Sequence, residues 1–206
     1  MGSAPIELGR TYPLYRELLA DATFHHLLLA FDADIADATR AARCELCRGV
    51  LHSARYPRQP RGRPKSLRAQ LGPEHDQRFS FCCAIDGCRS RETPPSLRFL
   101  GRKVYLAAIV VLVSIMQAGA TASRMQRINT TIGVDRRTIE RWRTWWHDSL
   151  PATPFWRMAC ANFMPPLDQA RLPTSLLERF GGGECDHLIA LLRFLGPVTG
   201  GRAHVR

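Results

Sequence analysis

The chain has 206 residues and a mass of 23.2 kDa, enough for one medium domain or two small ones. It carries 29 Lys+Arg against 18 Asp+Glu, a net charge of +11 and a pI near 10.1, so a polyanionic partner is expected, either nucleic acid or an anionic membrane surface. An apolar fraction of 45% excludes wholesale disorder. The longest apolar run, 104–116 (VYLAAIVVLVSIM), has 13 residues against the roughly 20 a membrane span requires, so it reads as a buried helix.

The charge is segregated. Residues 1–43 hold four basic and six acidic side chains, residues 44–150 nineteen and eight, and residues 151–206 six and four. Of the 29 basic residues 27 are Arg, which a GC-rich coding bias explains; the bias does not explain the concentration in the middle segment. Residues 1–10 contain Glu7 and no apolar stretch, so no secretory signal is expected and the predicted setting is reducing, cytoplasmic and nucleoid-associated. There, clustered cysteines point to metal rather than to disulfides.

In chain order, 12–42 has helical periodicity, with Leu14, Leu18, Phe24, Leu27, Leu28, Phe31 and Ile35 at three- and four-residue steps and Asp21, Asp32 and Asp37 between them. Asp21 is placed to cap a second helix beginning at Ala22. Residues 44–100 are rich in Pro, Gly and Arg, hold five of the seven cysteines, and read as a zinc ribbon with a basic loop. Residues 101–150 are predicted helical, stopped by Pro151. The tail 151–206 is predicted to carry helices near 176–180 and 186–195, parted by Gly181, Gly182 and Gly183. The fold class expected is mainly α with a small β zinc ribbon: an N-terminal helical segment (1–43), the ribbon (44–100), a helix-turn-helix (101–150) and a short helical tail (151–206).

Cys44 and Cys47 form a C-x2-C pair, and Cys83 and Cys88 a C-x4-C pair. Two short loops of this kind turn four thiolates toward one point, the arrangement that wraps a tetrahedral structural Zn²⁺. The segment lacks the apolar mass to pack unaided, so a metal crosslink would supply much of its folding free energy. Residues 77–82 (QRFSFC) alternate as a strand that delivers the cysteines. Cys83 is preferred to Cys82 as the ligand because the tighter loop closes more readily. His52 and His75 are expected to be exposed loop histidines, and Cys160 and Cys185 ordinary buried thiols.

Residues 132–142 (IGVDRRTIERW) have the layout of a DNA-reading helix-turn-helix. Gly133 suits the turn, Val134 plugs the core beneath it, and Asp135 caps the second helix. Ile139, Trp142 and Trp146 then share a buried face, leaving Arg136, Arg137, Glu140, Arg141 and Thr144 on the opposite face to enter the major groove of double-stranded DNA. Asn129 stands where such motifs usually carry Ala. Upstream, Arg61, Arg63 and Lys65 lie in PRGRPK, the core of a minor-groove AT-hook, within a basic arm that includes Arg55, Arg58 and Arg68.

A cysteine ribbon followed by a helix-turn-helix resembles the N-terminal DNA-recognition module of bacterial insertion-sequence transposases. The likeness rests on Cys44, Cys47, Cys83 and Cys88, on residues 78–82 (RFSFC) and on the 133–142 core, and covers roughly residues 44–150. It implies recognition of element ends or of a promoter. Those transposases continue into a nuclease domain with a carboxylate triad. Here 56 residues follow Leu150, with Asp168, Glu178, Glu184 and Asp186 in no strand pattern, so two-metal catalysis is not supported. The expectation is a non-catalytic, zinc-dependent, sequence-specific DNA-binding protein. It would act alone or as a homodimer. The alternative is an accessory protein whose Leu14–Ile35 face docks a separate transposase subunit. A vicinal-thiol sensor at Cys82–Cys83 is a further candidate.

Overall fold

The architecture comes from a computed structural model that describes residues 17–59, 67, 69–100, 108, 110–111, 126 and 134–203. After a helical turn at 17–20, α1 (Ala22–Ala41) begins at Asp21, whose carboxylate accepts the amide of Thr23 at 2.9 Å. Three short strands follow α1, β1 (Leu51–Ser53), β2 (Tyr56–Pro57) and β3 (Gln77–Arg78), with a 3-10 turn (Pro73–Asp76) leading into β3. Then come β4 (Phe81–Cys83), β5 (Arg91–Thr93) and α2 (Arg136–Thr144), which runs into a π-helical turn (Trp145–Ser149). Three helices, α3 (Pro154–Ala159), α4 (Thr174–Leu177) and α5 (Glu184–Phe194), precede β6 (Gly201–Ala203). The chain is thus largely helical with a small antiparallel sheet, in the strand order β1-β4-β5-β6, and a two-stranded ribbon of β2 and β3. Among the described residues no helix is long and apolar enough to cross a membrane.

The sheet draws on chain segments far apart in sequence. In β6, Gly201, Arg202 and Ala203 pair with Thr93, Glu92 and Arg91, so the tail supplies an edge strand to the cysteine-bearing sheet. The strand expected over 77–82 is split instead: Gln77 and Arg78 pair with β2, whereas Phe81 and Cys82 pair with β1 and β5. Arg78, Phe79, Ser80 and Phe81 are all buried, so the alternation in QRFSFC does not mark an inside and an outside face.

Two apolar cores result. The larger joins Leu19, Phe24 and Leu28 to Leu97 and Leu100, to Ile139, Trp142, Trp146 and Leu150, and to Trp156, Leu188 and Leu191 of the tail. Ala108, Val110 and Val111, the described part of the 104–116 run, are helical and buried in it, and the rest of that run lies outside the described residues. The smaller core holds Ala36, Cys44, Leu51, Phe79, Phe81 and Cys83.

A buried polar junction ties α1 to the chain after β5. Asp32, expected on the polar side of α1, is 1% exposed. Its carboxylate accepts the Ser96 hydroxyl at 2.6 Å, the Leu97 amide at 2.7 Å and Arg98 Nε at 2.8 Å. Arg98 also donates to the carbonyls of His75 and Gln77, each at 3.1 Å. Burial pulls the Arg98 pKa down while Asp32 holds it up, so the pair stays ionised by mutual support. Residues 93–100, which composition suggests as a hinge, are therefore anchored: Ser96 through Leu100 are all buried.

Candidate functional site

The Cys44–Cys47 and Cys83–Cys88 segments form two facing loops. In the first, Arg48 donates its amide to the Cys44 carbonyl at 2.7 Å and takes a positive φ of 61°. In the second, the amides of Cys88 and Arg89 both reach the Ile85 carbonyl at 3.1 Å, with Gly87 at φ 86°. Strand pairing of Leu51 with Cys83 sets the loops against each other. Gly49 permits the close approach, since a Cβ there would meet Cys83 Sγ at 3.1 Å and Cys47 Sγ at 3.3 Å.

The four sulfurs converge. Cys44 and Cys88 Sγ are 3.7 Å apart, Cys47 and Cys83 Sγ 3.4 Å, and all four ligand atoms lie within 4.8 Å of one another. A tetrahedral ion with metal–sulfur bonds near 2.3 Å needs S···S edges of about 3.8 Å, whereas a disulfide needs about 2.05 Å. The spacing therefore fits a shared ion and not a bridge, and the cluster can hold a metal. The Ile85 amide points at Cys83 Sγ from 3.5 Å and favours its thiolate. Desolvation and the three neighbouring thiols outweigh that bond and push Cys83 up to about 12. Four thiols in one pocket resist ionisation together, and a divalent cation reverses that balance.

Cys82 lies outside the cluster, half-buried, its thiol directed at the carbonyls of Cys83 and Arg89 at 3.7 and 3.8 Å. His52 is exposed as expected, but His75 is not. It is 4% exposed, packed under α1, and burial, Arg98 and His26 hold its pKa below the usual histidine value. Cys160 and Cys185 are half-buried rather than fully buried, and desolvation, with Asp186 and Asp21, raises the Cys185 thiol.

The second candidate surface is α2. Asp135 accepts the Thr138 amide at 2.6 Å, a bond that draws the carboxylate below its ordinary range. Ile139, Trp142 and Trp146 are buried at 3%, 2% and 0% exposure, and Val134 is fully buried beneath the helix start. Arg136, Arg137, Glu140, Arg141 and Thr144 are all exposed. Arg143, which spacing from Glu140 puts on the same side but which the sequence argument passed over, is exposed with them. Two of these arginines have local partners: Arg136 pairs with Glu140 at 2.9 Å and Arg141 donates to Thr138 Oγ1 at 2.7 Å.

Gly133 and the first helix of the expected helix-turn-helix lie outside the described residues, except for Gln126, which is helical. Arg61, Arg63 and Lys65 also lie outside them. Arg78 and Arg98, counted in the basic middle segment, face inward at 3% exposure and offer nothing to a polyanion. No known protein family matches the chain, and neither a curated protein nor a solved structure is significantly similar to it.

Proposed function

We propose that the protein is a zinc-dependent, non-catalytic DNA-binding protein that presents α2 to the major groove. The observation that carries this reading is the two-sided character of α2. Its apolar side is buried by Ile139, Trp142 and Trp146, while Arg136, Arg137, Glu140, Arg141, Arg143 and Thr144 all stand in solvent. Arginine forks suit guanine edges and phosphates, and Glu140 suits cytosine. The exposed Arg136–Glu140 pair is weakly held and opens at little cost on contact with DNA. Four thiolates at tetrahedral spacing favour Zn²⁺, which in this reading is structural and shapes the ribbon. The basic arm with Arg61, Arg63 and Lys65 would then hold phosphates or enter the minor groove. A transposase-like recognition module and a mobile-element regulator both fit this reading.

Docking of a separate transposase subunit through the N-terminal helices is favoured less. Phe24 and Leu28 of α1 are 3% and 1% exposed, used in the chain's own core. The test is fluorescence anisotropy with double-stranded DNA from a random pool, repeated across salt concentrations. Binding that falls steeply with salt, and is lost in Arg137→Ala/Arg141→Ala with the fold intact, supports the reading. Binding that is absent at low salt, or untouched by the double substitution, overturns it.

A further inference from the structure

We propose that His26, Glu74 and His75 form a second metal site, for a divalent ion of the zinc, cobalt and nickel class, clamping α1 to the Pro73–Asp76 turn. The site is separate from the thiol pocket and does not rest on the DNA-binding reading. His26 and His25 are neighbours on α1 and diverge: His25 bonds the Leu19 carbonyl through Nε2 at 2.9 Å, while His26 meets His75. The two rings lie with centroids 4.8 Å apart at an interplanar angle of 78°. Two imidazoles bound to one tetrahedral ion at about 2.0–2.1 Å have centroids roughly 5 Å apart, so little movement is required.

The third group is Glu74, whose Oε1 lies 3.4 Å from His75 Nδ1, close to the N···O edge of about 3.4 Å in a tetrahedral nitrogen–oxygen site. Its carboxylate folds back over Gly72, where any Cβ would strike both carboxylate oxygens. Glycine at that position leaves room for the acid beside the imidazole.

His75 supplies an independent sign of a ligand. It is 4% exposed, yet neither ring nitrogen has a hydrogen-bond partner. Buried polar atoms are seldom left so, and an ion accepted by one nitrogen resolves part of the deficit. His26 is exposed and Glu74 47% exposed, so an ion reaches the site from solvent and keeps positions for water. The surrounding charge is permissive. Glu74 and Asp76 both belong to the turn, and the nearby Arg98 cation is matched by Asp32 at 2.8 Å. Imidazole with carboxylate selects borderline transition ions over Mg²⁺ or Ca²⁺.

The test is a Co²⁺ titration of the metal-free full chain, followed by absorbance, calorimetry and thermal melting. The expected result is two equivalents: one with intense thiolate charge-transfer bands, and one adding only weak d–d bands while raising the melting temperature. His26→Gln, at an exposed helix position, should remove the second equivalent and leave the thiolate bands and metal-free melting temperature unchanged. Glu74→Gln should weaken the second equivalent by about 10–100-fold. If the thiol pocket binds nothing, a single equivalent without thiolate bands that disappears in His26→Gln still upholds the site. Thiolate-bound cobalt alone, or a second equivalent that survives His26→Gln, overturns it and leaves the rings as an edge-to-face aromatic pair.

Discussion

The helical body buries Leu28, Trp142, Trp146, Trp156, Leu188 and Leu191 in one continuous core, whereas the cysteine-bearing sheet encloses only Ala36, Cys44, Leu51, Phe79, Phe81 and Cys83. Two of the six groups in the smaller core are thiols, and its strands are two or three residues long. Apolar burial of that extent cannot offset the entropy of ordering the loops around it. The body is held by area, and the ribbon by crosslinks: the thiol cluster, the Asp32–Arg98 pair and the borrowed strand β6. The difference separates the ways in which the two regions fail.

The largest effect is expected from Cys83→Ser. Metal binding at the thiol pocket should be lost and the ribbon should unfold, since structural zinc sites supply most of the folding free energy of such segments. The near-ultraviolet circular dichroism of Trp146 and Trp156 should survive, because both sit in the other core. Simultaneous loss of the tryptophan signal would break the comparison. Trp146→Ala is the converse, with an expected cost of about 3–5 kcal/mol in denaturant melts of the body. Metal stoichiometry of the remaining folded protein should not change.

Asp32→Asn tests the seam between the regions. It strands the Arg98 guanidinium at 3% exposure, and breaking such a pair costs about 3–5 kcal/mol. Asp32→Asn with Arg98→Met should recover much of that loss, an outcome readable in a thermodynamic cycle. Smaller in stability terms is Arg137→Ala/Arg141→Ala, which should leave the melting temperature within a degree or two while lowering the salt slope of DNA binding by about 1 for each phosphate contact removed.

The smallest effect concerns Asp135. Its carboxylate titrates below the ordinary value of 3.8 because the Thr138 amide stabilises the charged form. The unfolded chain therefore takes up a proton first as pH falls. The cap's contribution is whole above pH 4 and disappears as pH drops through the folded value. Thermal melts of wild type and Asp135→Asn should differ by a few degrees at pH 5 and converge toward pH 3.

The thiol cluster was legible because C-x2-C and C-x4-C spacings constrain geometry locally, and α2 because its cap and its apolar period of three and four coincide. The inward polar groups were not. Asp32, His75, Arg78 and Arg98 have the residue types of a surface, and only partners distant in sequence make their burial tolerable. The strand β6 was also missed, since Gly201, Arg202 and Ala203 carry no strand propensity and owe their conformation to pairing with β5. The helix Pro154–Ala159 is one and a half turns long, too short for periodicity to declare itself.

That late strand has a consequence for how the molecule is made. Thr199 Oγ1 accepts the Ser96 amide at 2.6 Å, and Arg78 reaches the Thr199 carbonyl at 3.2 Å, contacts that span 103 and 121 positions of chain. At a synthesis rate of roughly 5–20 residues per second, β5 waits on the order of 5–20 s at the ribosome before β6 is available to it. During that interval the β5 edge is open to the wrong strand, on another nascent chain as readily as on its own. The cysteines, by contrast, are all translated before the wait begins, and an ion captured then would hold three strands in register until the fourth arrives.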